Sequence, residues 1–142
     1  MAFWNREAVD PSLPKGDRGA GSLSQYRYDL IPSSKRVTVR LANSDPHQHE
    51  LQKVMDDAEA NLETAMSRRS IEDERIDAPM MVRLFAGNRV TGVVGTVPRG
   101  LEAVIDEALS RLDKRGEKVR IPAAISKTRD GLRVELLLGL TR

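Results

Sequence analysis

His47 and His49 are the only histidines in the chain, in Asp45-Pro46-His47-Gln48-His49-Glu50, where imidazoles and carboxylates together could ligate a metal ion. The spacing opposes it. Residues two apart on a helix point about 200° apart, and there is no cysteine or third histidine to complete a tetrahedral set. A second stretch, Gly92-Val-Val-Gly95-Thr-Val-Pro-Arg-Gly100, falls between an expected strand and an expected helix, where backbone N–H groups cradle phosphates. It has neither G-x-G-x-x-G nor a Gly-Lys-Ser/Thr ending. Gly92 and Gly95 therefore read as points of bending or close packing within a strand. No paired carboxylates stand out, and no Ser, His and Asp set announces a triad. These residues predict a chain without intrinsic catalysis, metal or cofactor.

The elements that must position any binding residues are clearer. Met80 to Val94 reads as a hairpin closing on Ala86-Gly87-Asn88-Arg89, with Gly at the first central position of a type II′ turn. A second hairpin, from about Lys118 to Leu138, is expected to turn at Asp130-Gly131, the pair suited to a type I′ turn. That register sets Lys127 against Val134, Ile125 against Leu136 and Ala123 against Leu138, an apolar face backed by a mostly polar one. In the first hairpin Met80, Val82, Leu84 and Val93 share one face, and Met81, Arg83, Phe85 and Val90 share the other. Both are fairly apolar, so this hairpin is expected to be covered on both sides.

Val37, Val39 and Leu41 alternate with polar residues as in a half-buried strand. Ser44-Asp45-Pro46 supplies helix-start chemistry. Leu51, Val54, Met55, Ala58, Leu62, Ala65 and Met66 then recur at spacings of three and four, predicting a helix over 46–68. Ser70 to Ile76 reads as a charged connection. Leu101, Val104, Ile105, Ala108 and Leu112 predict a second helix over 99–115, closed by Gly116. With strands expected at 36–42, 79–86, 89–96, 118–127 and 132–139, the order is β-α-β-β-α-β-β. The fold class is α+β, a small antiparallel sheet or partly open barrel with two amphipathic helices. The expected core is Leu51, Val54, Met55, Leu62, Val82, Leu84, Val93, Val104, Ile105, Leu112, Ile125, Val134, Leu136 and Leu138.

The chain has 142 residues, enough for one core, and the N-terminal 35 are rich in Gly, Pro, Ser and charge. Residues 1–35 are therefore expected to be a flexible arm preceding a single domain over 36–142. The start lacks a secretory pattern, and no stretch approaches the ~18 apolar residues of a membrane span. A cytoplasmic protein with no membrane partner is expected. The net charge of +2 conceals a split: residues 46–77 carry 4 basic and 9 acidic groups, and residues 78–142 carry 12 and 7. The basic C-terminal block suits an anionic partner.

Val37-Thr-Val-Arg-Leu-Ala-Asn-Ser-Asp-Pro-His-Gln-His-Glu-Leu resembles the opening strand and helix of HIRAN-like domains. Asp77-Ala-Pro-Met-Met-Val-Arg-Leu-Phe-Ala-Gly-Asn-Arg-Val-Thr-Gly-Val-Val resembles the family's first hairpin, and the later helix and hairpin follow in the family's order, over about residues 36–139. The resemblance implies a small barrel with helices. In helicase-type remodelling proteins such domains hold the 3′ end of single-stranded DNA, whereas stand-alone bacterial relatives mostly have no assigned role. Carried to this chain, it implies Arg40, Asn43 and His47 lining a pocket region, with Arg83 and Arg89 contacting phosphate. The return strand has Val93 and Val94 where the family has Tyr, so binding would rely on Arg and backbone contacts. The function the resemblance implies is a non-catalytic binding module with weak affinity for single-stranded or damaged DNA. The other expectation is a protein-interaction or homo-oligomerisation module acting through the first hairpin.

Overall fold

A computed structural model describes residues 12–57 and 61–142. The fold is α+β. Its elements are β1 (Val39–Arg40), α1 (Gln48–Asp56), β2 (Leu62–Thr64), α2 (Ile71–Arg75), β3 (Met81–Ala86), β4 (Arg89–Thr96), α3 (Glu102–Lys114), β5 (Ala123–Thr128) and β6 (Gly131–Leu136). They make two antiparallel three-stranded sheets, ordered β1-β6-β5 and β2-β3-β4. Single bridges, Ala42 to Thr96 and Glu63 to Pro122, join the sheets at their margins. Among the described residues the ladders do not run on into a closed barrel.

Val39, Leu41, Val82, Leu84, Val94, Val134, Leu136 and Leu138 are fully buried between the sheets and the apolar side of α3, which adds Val104, Ile105, Ala108 and Leu109, with Leu101 just before it. The apolar stripe of α3 drives this docking. Gly116 adopts a φ of +72° just past the helix, the left-handed geometry that lets a helix end.

The first helix is much shorter than its apolar period predicts. Leu51 and Val54 are buried as expected, but Met55 is 39% exposed. Leu62 does not extend the stripe. It opens β2, pairing with Ala86 while Thr64 pairs with Leu84. The run Leu62-Glu63-Thr64 satisfies a period of two as well as one of three to four, and the open edge of β3 needed hydrogen-bond partners. Buried Thr64 also ties in the other sheet: its N–H donates to the Ile121 carbonyl and its Oγ1 accepts from the Ile121 N–H, both at 2.9 Å. Ala58, also expected on the stripe, lies outside the described residues. Ser70 to Ile76 holds α2, started by a capping box in which Ser70 and Asp73 exchange side-chain-to-backbone hydrogen bonds.

The second hairpin turns one residue earlier than the Asp-Gly pair suggests. Thr128 opposes Gly131, leaving Arg129 and Asp130 as the loop. Neither is left-handed, and the positive φ falls on Gly131 at +125°. This suits a type I turn followed by a glycine bulge. Ile125 therefore faces Val134, and Ala123 faces Leu136. Partners move by two positions, and because the strand period is two, every side chain keeps its expected face.

In the first hairpin the turn does fall at Gly87-Asn88, with a φ of +64° on Gly87. The ladder then slips twice: Phe85 opposes Val90, but Arg83 opposes Val93 and Val82 opposes Gly95. The first extra residue reverses the faces beyond it, so Val94 is buried and Val93 is only half-buried. The outer face of this hairpin is also uncovered, against expectation. Met81 is 58% exposed and Val90 55%. Phe85 is the exception, half-buried with the Arg120 guanidinium over its ring.

Residues 12–35, expected to belong to a flexible arm, are laid on the domain instead. Ala20 bridges Arg40 on the outer edge of β1, and Tyr26 and Pro32 are buried. Asp17 is 1% exposed and accepts the Ser44 N–H at 2.7 Å and the Asp45 N–H at 2.9 Å. Residues 1–11 of the expected arm lie outside the described residues.

Candidate functional site

The outward residues of β3 alternate with its core residues, so Met81, Arg83 and Phe85 point away from Val82, Leu84 and Ala86. Two further segments border that face. The chain leaving β2 stays beside β3, where the Ala65 N–H donates to the Arg83 carbonyl at 2.8 Å. The loop after α3 is drawn in by the Thr64–Ile121 contacts. Together they form a groove of two adjoining depressions, of about 270 and 510 Å3, which share Ala65, Met66 and Ser67.

The groove is basic. Arg68, Arg69 and Arg83 line one half; Lys118 and Arg120 line the other. Arg69 is committed elsewhere, its Nε donating to Asp106 at 3.0 Å with Asp77 at 3.7 Å from Nη1. Arg120 sits 3.5 Å from Glu63. Arg68, Arg83 and Lys118 are exposed and make no ion pair among the described residues. Among the described residues Asp73 is the one carboxylate on the lining.

The groove also holds an aromatic platform. The Arg120 guanidinium lies 3.8 Å from the centroid of the Phe85 ring. A cation over a ring face gains roughly 0.5–1 kcal/mol at such a partly exposed site. An arginine guanidinium offers a surface on which a nucleobase stacks.

The five residues placed by motif position do not converge. Arg83 is in the groove. Arg40, on β1, is taken by Glu135, to which its Nε donates at 2.5 Å. Asn43, left-handed at a φ of +56°, lies outside both halves of the groove, in a neighbouring recess with Arg18 and Arg99. His47 ends a 3-10 turn over Asp45–His47 and lines neither half of the groove. Arg89 lines a cleft beside α1 with Glu50, Asp56 and Asp57. Among the described residues no cluster of three or more His, Cys, Asp or Glu could hold a metal ion.

Comparison with family models, characterised proteins and solved structures finds no match for this chain. The groove is therefore read on its own chemistry. Among the described residues no helix is long and apolar enough to cross a membrane.

Sequence reasoning missed Arg68, Lys118, Arg120 and Phe85. Arg68 reads as the end of a long helix, which it is not. The signal for Phe85 was present in the strand period, which puts it on the Arg83 face; the expectation that this face is covered hid it.

Proposed function

We propose that this chain is a non-catalytic module that binds single-stranded nucleic acid in the basic groove. Arg68, Arg83 and Lys118 would neutralise phosphates, and a base would stack on the Arg120–Phe85 pair. The observation that carries the reading is the coincidence of unpaired cations with a π platform on one uncovered sheet face. Phosphate charge supplies most affinity in such sites, and stacking adds roughly 1–3 kcal/mol per base without demanding sequence. The HIRAN-like resemblance of residues 36–139 points to the same ligand class by a separate route.

Fluorescence anisotropy with a labelled oligothymidylate tests it. Three phosphate contacts on a single strand give a log–log salt slope of about −2, or roughly a 20-fold loss of affinity between 50 and 200 mM salt. No signal at low salt would end the reading.

The exposure of Met81 and Val90 on the same outer face favours a second reading, docking of a protein partner or another copy of the chain. Light scattering across a concentration series separates the two. A dimer whose formation excludes the oligonucleotide would favour the second.

A further inference from the structure

We infer that residues 12–20 form a working wall of the binding site and supply Arg18 as a further phosphate contact, held in place by a buried Asp17–Arg133 clamp. The inference rests on reading the groove as a single-strand site.

A recess of about 270 Å3 opens beside the groove, bounded by Leu13, Arg18, Asn43, Thr96, Pro98 and Arg99. Pro79 and Met81 line both the recess and the groove, so the two adjoin. Its surface is largely apolar with a few polar groups, the make-up of a ligand site. Those polar groups differ in availability. Arg99 is occupied by Asp77 and Glu102, at 2.7 and 2.9 Å. Arg18 is not. Its Nε donates to the Leu13 carbonyl at 3.0 Å, which orients the guanidinium, and its terminal nitrogens have no partner among the described residues. The Asn43 carboxamide is likewise unpartnered there. A strand following the groove past Met81 meets a fixed cation and an amide, with Leu13, Pro79 and Pro98 to receive a base.

Arg18 stands there because of the residue before it. Arg133 is 1% exposed, and its guanidinium donates to the Gly16 carbonyl at 2.9 Å, the Leu132 carbonyl at 2.8 Å and Asp45 Oδ1 at 2.7 Å, with Asp17 Oδ1 3.6 Å from its Nε. Asp17 in turn accepts two backbone N–H groups at the start of the 3-10 turn. The Asn43 N–H donates to the Asp17 carbonyl at 2.9 Å, so one residue sets both walls of the recess. Asp17 and Arg133 are positioning residues.

The test is anisotropy titration of the full chain with a fluorescein-labelled 12-mer oligothymidylate at several salt concentrations, with far-UV circular dichroism to confirm each variant's fold. Four contacts predict a slope of about −2.8, and Arg18→Ala should return it to about −2.1, with Arg18→Lys keeping the wild-type slope. Asp17→Asn should weaken binding in the wild-type background and add nothing to Arg18→Ala, which a general loss of structure would not do. If Arg18→Ala binds like wild type at every salt while Arg83→Ala is weakened, the recess plays no part and the groove reading survives. If the wild-type chain gives no signal at low salt, both fall. Should Asp17→Asn fail to fold, the Ala and Lys variants at Arg18 still decide.

Discussion

At the residue scale, what separates the arginines is whether a carboxylate already holds them. Arg83 lacks such a partner among the described residues and Arg40 has Glu135. We expect Arg83→Ala to flatten the salt slope by about 0.7, while Arg89→Ala, on a cleft lined by α1 carboxylates, leaves oligonucleotide binding unchanged. Tyr26 gives a residue-scale prediction about stability. Its hydroxyl is buried without a hydrogen-bond partner among the described residues, and burial pushes the phenol up to about 12 from 10.0, against the downward pull of nearby Arg111. A folded-state value above the unfolded one makes this contribution whole below pH 10 and lost as the pH rises through 12. Tyr26→Phe removes an unsatisfied polar atom. It should raise stability by about 1 kcal/mol in urea titrations near neutrality and blunt the alkaline loss.

At the scale of elements, β4 contains two glycines with different reasons to be there. A Cβ on Gly95 would come within 2.9 Å of the Ala42 carbonyl, Leu41 Cβ and Ser44 Oγ, where β4 meets the chain beyond β1. On Gly92 the nearest atom would be Glu50 Cδ at 3.7 Å. Gly95→Ala should therefore cost about 1–3 kcal/mol of overpacking, and Gly92→Ala should stay within about 0.5 kcal/mol, by thermal or chemical denaturation. Equal effects would mean that the sheets are not held together at Ala42 and Thr96. Gln48 makes a comparable joint between α1 and the second hairpin. Its Nε2 donates to the Leu132 carbonyl at 2.9 Å and its Oε1 accepts the Leu132 N–H at 2.8 Å, a β6 position beyond the pairing of β1 with Glu135 and Leu136.

At the scale of the molecule, the buried Asp17–Arg133 pair joins the N-terminal segment to the last hairpin across most of the chain. Asp17→Ala removes one of the two carboxylates beside buried Arg133 and leaves the Ser44 and Asp45 N–H groups without their acceptor, so it should cost about 2–4 kcal/mol, more than any exposed ion pair, and should open residues 12–20 to trypsin at Lys15 and Arg18. A core truncation such as Leu136→Ala should cost about 2–5 kcal/mol without preferential cleavage there. If both variants gave the same cleavage pattern, the segment would be held by the core as a whole and not by the clamp.

The α+β class, the two hairpins, the third helix and most of the core were legible in the residues, because each depends on short-range periodicity and turn chemistry. The Gly87-Asn88 turn and the Gly116 helix end needed nothing beyond local stereochemistry. The short first helix, β2 and the second turn's register were decided by tertiary structure. In each, two local patterns were compatible with the residues, and a distant partner chose between them: the edge of β3 for Leu62 to Thr64, and Gln48 for Gly131, whose absent side chain leaves room for the Gln48 amide. The candidate site belongs to the second kind. Arg68, Arg83, Phe85, Lys118 and Arg120 are scattered along the chain as single cations and one ring. Only the pairing of β2 with β3, and the Thr64–Ile121 joint between the sheets, brings them onto one groove.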